Sequence, residues 1–380
     1  MRLLPFVFFL LSYSTLVGQN NLNIPIDGDY VTYHENGNIR EKGLFQNGMK
    51  MGEWTHYYSN SQIAERGNYI AGKQDWEWNY YYRNGILQMK NSFAFGVKVG
   101  EEVKYFEDGS IAERKTYKNG LLSDDFIVYF NNGKLQLKGS YDSDKKVGIW
   151  TQWYINGQVE NSYTYKFDMK DGEYSCFYET GILREKGNYR YGVLDGLLTT
   201  YFPNETMERT SYYVKGFKQG EEKEYYASGV LKSFFNYENG YLQGKGLVYF
   251  DISTPVVQEQ GEYSRNLKQG EWFFYYLTSS VKERGMFVCD HKSGIWKYFS
   301  ETGVLTRQFT FVDDRMHGEA IDYYSDGRIE EKGSYYNNQK EGDWIYFFYI
   351  ENEIIESRGT FKNGVKSDDW KSVKRYDGVK

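Results

Sequence analysis

The chain of 380 residues is poor in proline and cysteine, with 4 and 2 copies. So little proline excludes collagen-like and proline-rich segments, and two cysteines cannot form a disulfide framework. Histidine occurs only as His34, His56, His291 and His317. None stands at a metal-ligand spacing from a cysteine, so no zinc signature is present. The net charge of −6 has acids and bases interspersed, which leaves no basic footprint and no expectation of a nucleic-acid partner. Apolar runs are short as well. The run at Leu3–Leu11 is too brief to span a bilayer, so no stable transmembrane insertion is expected. No P-loop, dinucleotide fingerprint or nucleophile elbow precedes a helical pattern, because no helical pattern occurs.

What the chain has is aromatic residues, 19% of the total, and 40 glycines. Met1–Gln19 starts with Arg2, continues through the apolar run and ends in a polar stretch before Gly18. That order is expected of a secretory signal peptide. The expected division is a signal peptide over 1–18, a linker over 19–27 and a repeat array over 28–380. An exported chain of this kind would work in the periplasm, at the cell surface or outside the cell.

The array carries the fold. Anchors at Gly28, Gly52, Trp76, Gly100, Asp124, Gly148, Gly172, Gly196, Gly220, Gly244, Gly270, Gly294, Gly318, Gly342 and Asp368 are 24 residues apart, with two spacings of 26. This gives fourteen full units and a truncated fifteenth. Each unit reads as strand, turn, strand, turn. An aromatic recurs five residues past the anchor in all fourteen full units, as at Tyr57, Tyr81 and Tyr105, and an Asn-Gly or Asp-Gly turn often follows, as at Asn84-Gly85. An aliphatic then opens the second strand, and a further aromatic precedes an exit turn filled by Gly, Asp or Asn. Such turn residues tolerate positive φ. The extra residues near Ser253–Val256 and Ile350–Glu353 fall at mid-unit turns, where they are expected to lengthen loops. The fold expected is all-β: an elongated, solenoid-like twisted ribbon of about fifteen serial β-hairpins, roughly 140 Å long if untwisted.

Period-2 alternation places Trp54, Tyr58, Ile63, Gly67 and Tyr69 on one face. A two-residue turn at Asn60-Ser61 would pair Tyr58 with Ile63 and Trp54 with Gly67, and bare Gly67 would let the Trp54 ring lie over it. On the other face an acidic column that includes Glu101 and Glu271 can meet a basic one that includes Arg114 and Arg284. Each such pair contributes at most about 1 kcal/mol. Cys176 and Cys289 stand four units apart, on the order of 40 Å at ordinary strand spacing, too far for a disulfide.

The pattern G-[ED]-W-x-x-Y-[YF]-x-x-G-x-[IL]-x-x-[KR]-G-x-[YF]-x-x-G, clearest at Gly52–Gly72, Gly172–Gly192 and Gly318–Gly333, resembles the MORN repeat variant of the YwqK family of bacterial antitoxin-like proteins. The resemblance spans about residues 28–374. It implies a ribbon of hairpins and, as a partner, a toxin to be neutralised. It carries over no catalytic residue.

Chemistry is sparse. Glu101-Glu102, Glu221-Glu222 and Asp124-Asp125 look like acid pairs, but neighbours in a strand point to opposite faces. Cys176 has no base beside it in the sequence to activate it. No enzyme, cofactor or metal site is expected. The feature that suggests a ligand is a tryptophan column, Trp54, Trp78, Trp150, Trp272, Trp296, Trp344 and Trp370. Where these rings are exposed they would form an interaction face for another protein or a cell-wall glycan. The function expected is that of an exported, non-enzymatic scaffold for protein–protein interaction. The alternatives are an antitoxin or immunity protein and a glycan-binding repeat protein.

Overall fold

The computed structural model describes residues 27–351 and 353–376. The expected signal peptide and nearly all of the linker lie outside them. Thirty-two strands and no helix occur among the described residues, so the chain is an all-β repeat protein. It divides into two compact units, one ending at Ser123 and the other starting at Asp124. Each is an open antiparallel sheet in which consecutive strands pair. In the first, Ile39–Gln46 pairs with Gly28–Tyr33 on one side and Met49–Tyr57 on the other. In the second, Leu267–Tyr275 lies between Val257–Ser264 and Val281–Val288.

Two kinds of turn build the hairpins. The exit turns are two residues long with both φ positive, as at Asn47 (51°) and Gly48 (70°), the type I′ geometry that matches strand twist. The mid-unit turns are longer than expected. Ser61 N–H donates to the Tyr58 carbonyl and Tyr58 N–H to that of Gln62, with Ser61 at φ 67°. A tight turn is followed by one left-handed residue, the three-residue hairpin loop with its bulge. Ile63 therefore pairs with Tyr57 rather than Tyr58, while Trp54 does pair with Gly67. The two insertions also differ. The first is a loop closed by Phe250 N–H on the Val256 carbonyl. The second lengthens the strands Gln339–Ile350 and Glu353–Lys362, which pair without a shift as far as Ile350 and Glu353.

The anchor residues are bulges rather than strand openers in most units. The strand at Met49–Tyr57 starts three residues before Gly52, which has φ 66°. Lys42 faces Thr55 and Leu44 faces Met51, so Gly52, Glu53 and Trp54 crowd opposite the single residue Gly43. A bulge of this size re-aims the side chain at its end.

Neighbouring hairpins are also clamped through their turns. The Tyr58 hydroxyl donates to the Tyr81 carbonyl at 2.7 Å, and Tyr82, Tyr154, Tyr178, Tyr226, Tyr276 and Tyr324 repeat the bond 23 residues onward. His34 takes this place in the first hairpin, its Nε2 2.9 Å from the Tyr57 carbonyl. A buried polar tip is thereby satisfied at most steps of the repeat.

Candidate functional site

Six of the seven column tryptophans are core residues. Trp54, Trp78, Trp150, Trp272, Trp296 and Trp344 are all buried, none above 3% exposed, and Trp370 is half-buried. The condition for an interaction face, exposed rings, is not met at those six positions. The rings also turn the opposite way from the expectation. Gly67 is covered by Trp78, whose Cδ2 would stand 2.2 Å from a Cβ there, and Trp54 covers Gly43 in the preceding hairpin. The same relation, a tryptophan over the glycine eleven residues earlier, holds at Gly139, Gly261, Gly285, Gly333 and Gly359. The bulge causes the reversal. Strict alternation would leave the ring over its own hairpin, whereas three residues opposite one swing it back over the previous strand.

Each ring is fixed on several sides. Trp54 Nε1 donates to the Leu44 carbonyl at 3.2 Å, and the bond ten residues back recurs for Trp78, Trp150, Trp272, Trp296 and Trp344. Four residues before most of these tryptophans stands a lysine over the ring, at 3.8 Å for Lys50, Lys292 and Lys340 and 4.0 Å for Lys268. Those lysines also reach the carboxylates of Glu41, Glu283, Glu331 and Glu259. Burial, a satisfied indole N–H and a cation over the face together make each lock worth several kcal/mol. Trp370 departs from the pattern. Its Nε1 has no partner, because Ser367 donates both its N–H and its hydroxyl to the Thr360 carbonyl that would receive it.

Where tryptophan is replaced, its glycine is replaced too, except at Leu198, where Gly187 remains and lies under Tyr174 instead. Glu102, 2% exposed, receives bonds from Asn91, Lys98 and Lys115 at 3.3, 2.6 and 3.1 Å, and Asn91 holds the glycine position. Burial pushes the Glu102 carboxyl up, but these donors outweigh it and hold its pKa below the ordinary value. Glu222 is held likewise by Lys218, Ser211 and Tyr237. Ala320 faces Phe309 and Gly246 lies under Phe235, an exchange of large and small between the two positions. Tyr174 stacks on Tyr163 at 5.2 Å. The column is a series of complementary pairs that close each hairpin on the last.

The residues that resemble catalytic groups are placed apart. Glu101 is exposed and Glu102 buried, as are Glu221 and Glu222. Cys176 is buried with its Sγ 3.3 Å from the Tyr163 hydroxyl, and Cys289 is an exposed free thiol. His291 pairs with Asp314 at 2.6 Å, which raises the imidazole pKa. His56 lies between Glu41 and Glu65, and His317 lies against the Tyr336 ring. Among the described residues no group of three or more His, Cys, Asp or Glu could hold a metal ion. Asp322 and Glu331 form a carboxyl pair beside Arg307; burial first and Glu331 second push Asp322 up to about 6. The charge columns meet on the outer face as expected, at Arg114–Glu101 (3.4 Å) and Arg284–Glu271 (3.9 Å).

Exposed apolar residues lie elsewhere, at positions the period-2 reading did not single out. Phe95, Phe167 and Tyr191 stand at the first place of exit turns with φ near 50°, and Trp76 replaces a bulge glycine at 58°. All four are more than half exposed. In sequence their signal is a large ring in a left-handed slot: other units fill the exit-turn place with Asn, Asp, Ser, Ala, Cys, Lys or Arg, and the bulge place with Gly or Asp. The first unit also has a groove of 380 Å³ lined by Tyr80, Tyr82, Met89, Tyr105 and Phe106.

Eight segments match the MORN repeat variant. They are residues 26–47, 52–71, 98–119, 125–143, 170–191, 218–239, 292–313 and 316–338. No homologue places the chain in the YwqK family, and no curated protein matches it. A chain of the Photorhabdus luminescens Tc holotoxin pore is similar at 11% identity and a TM-score of 0.16, over 92% of this chain and 23% of that one. A chain of the TcdB2-TccC3-Cdc42 structure is similar at 9% identity and a TM-score of 0.14, over 93% and 27%. This chain thus spans about a quarter of those toxin chains. A porin-like protein from Bacteroides uniformis is similar at 8% identity and a TM-score of 0.10, over 92% and 95%. Scores this low carry no argument about fold or function.

Proposed function

We propose that this chain is an exported, non-enzymatic repeat scaffold that binds protein through exit turns that carry exposed aromatic rings. The observation that supports it is the placement of Phe95, Phe167 and Tyr191. An L-residue in left-handed backbone costs on the order of 1 kcal/mol, and exposure adds no packing in return. Asparagine or glycine would serve the turn better, so the aromatic rings answer to something outside the hairpin. The tryptophan column, by contrast, is spent on cohesion. Export is supported by the order of residues in Met1–Gln19.

A photoreactive residue placed at Tyr191, compared with one at Trp54, tests this in cells that express the full chain. Protein adducts are expected at 191 and not at 54. If position 191 gives no protein adduct, the scaffold reading fails.

A further inference from the structure

The exit turns of the second unit carry a continuous apolar row. Phe167 and Tyr191 sit in their turns at φ 50° and 51°, 55% and 68% exposed. Met169 and Val193 leave these two turns, Phe217 and Tyr241 leave the next two at Gly216 and Gly240, and all four are exposed. The turns are in contact with one another through these side chains. A Cβ on Gly216 would lie 3.4 Å from Val193 Cβ, and one on Gly240 would lie 3.5 Å from Phe217 Cδ1. At 150–250 Å² per aromatic residue, the four rings expose on the order of 450 Å². That is near the upper end of what a monomer leaves uncovered. Doubled by a like surface, and with Met169 and Val193 added, it reaches the roughly 1,000 Å² of a specific interface.

We propose that this row is a two-fold interface between two copies of this chain, packed turn against turn and antiparallel; the proposal rests on the scaffold reading. Three features favour a second copy as the occupant. First, the ridges recur once per hairpin, about every 9.6 Å, and another copy carries ridges at the same pitch. Second, a two-fold axis between the turns at Gly192 and Gly216 matches ring to ring. Tyr191 meets Phe217, and Phe167 meets Tyr241, each pair adding to the area term. Third, the same axis brings exposed Lys166 of one copy to the turn that carries exposed Glu238 of the other.

Sedimentation equilibrium of the full chain across the micromolar range tests the proposal. Wild type is expected to pass from monomer to dimer. F167N/Y191N is expected to dimerise at least about tenfold more weakly. Its thermal stability should be equal or higher, because asparagine accepts left-handed backbone. E238K should weaken the dimer, and K166E/E238K should restore it. A wild-type chain that stays monomeric overturns the proposal, and so does a dimer that ignores these substitutions. If the chain is monomeric and the row instead governs adsorption to phosphatidylglycerol vesicles, the proposal is also overturned. If every adduct at position 191 is to a different protein, the two-fold interface fails while the scaffold reading stands.

Discussion

At the scale of single residues, the fold depends on pairs chosen for volume. Gly67 has no room for a methyl group, since its Cβ would lie 2.2 Å from Trp78. Gly67→Ala should therefore destabilise the chain by about 2–3 kcal/mol. Trp78→Ala removes the obstacle as well as the lock, so the double variant should lose less than the two single losses added. A coupling of about 1–3 kcal/mol in a denaturation cycle is the expected result; strict additivity would refute the lock. The chain also offers the reverse test at Glu102. Lys98 already stands four residues before it, where Lys50 stands before Trp54. Glu102→Trp alone should collide with the Asn91 side chain and strand Lys115. Asn91→Gly in addition should recover on the order of 2 kcal/mol by urea unfolding. If it recovers nothing, glycine is not the partner that tryptophan requires.

At the scale of the hairpin, much was legible in the sequence. The turn slots, the strand count and the Trp54–Gly67 register followed from positive-φ residues and alternation. The direction of the rings did not. Alternation assumes one residue opposite one, and the bulge at most anchors puts three opposite one, a geometry that shows in the register and in the φ of residues such as Gly52. The exposed turn aromatics were unread for a related reason: a residue defined by its absence from a consensus has no periodicity of its own. Charged residues on the hairpin faces add a pH dependence. Asp322 has its pKa raised from 3.8 to about 6, so the unfolded chain releases this proton first. Its contribution to stability is then present below about pH 4 and lost as pH rises to 6, by at most about 3 kcal/mol. Melting temperatures corrected against Asp322→Asn should show this slope in the wild type and its loss in the variant. A slope of opposite sign would remove the carboxyl pair as its source.

At the scale of the whole molecule, stability is a sum over neighbouring hairpins, so unequal junctions should open unequally. Within the second unit the locks are unevenly spread. Trp272 and Trp296 share a buried cluster with Phe287. Four successive junctions upstream have no tryptophan: Tyr163 with Tyr174, Gly187 with Leu198, Ser211 with Glu222, and Phe235 with Gly246. Two strands there are also interrupted, leaving Gly196–Tyr201 and Gly244–Tyr249 separate from the short pieces Val193–Leu194 and Tyr241–Leu242. Fewer buried rings and shorter ladders lower the cost of local opening. Amide hydrogen exchange should accordingly be at least about tenfold faster in Gly196–Tyr201 and Gly244–Tyr249 than in Leu267–Tyr275 and His291–Phe299, a difference of roughly 1.4 kcal/mol or more. Equal protection across these four strands would mean that the tyrosine clamps and stacked turns, common to both regions, set the stability instead of the tryptophan locks. The comparison has a bearing on the exposed row as well, because Tyr191 to Tyr241 spans the softer region. A surface built there can adjust its turns to a partner, whereas the Trp-locked hairpins downstream hold the array in register.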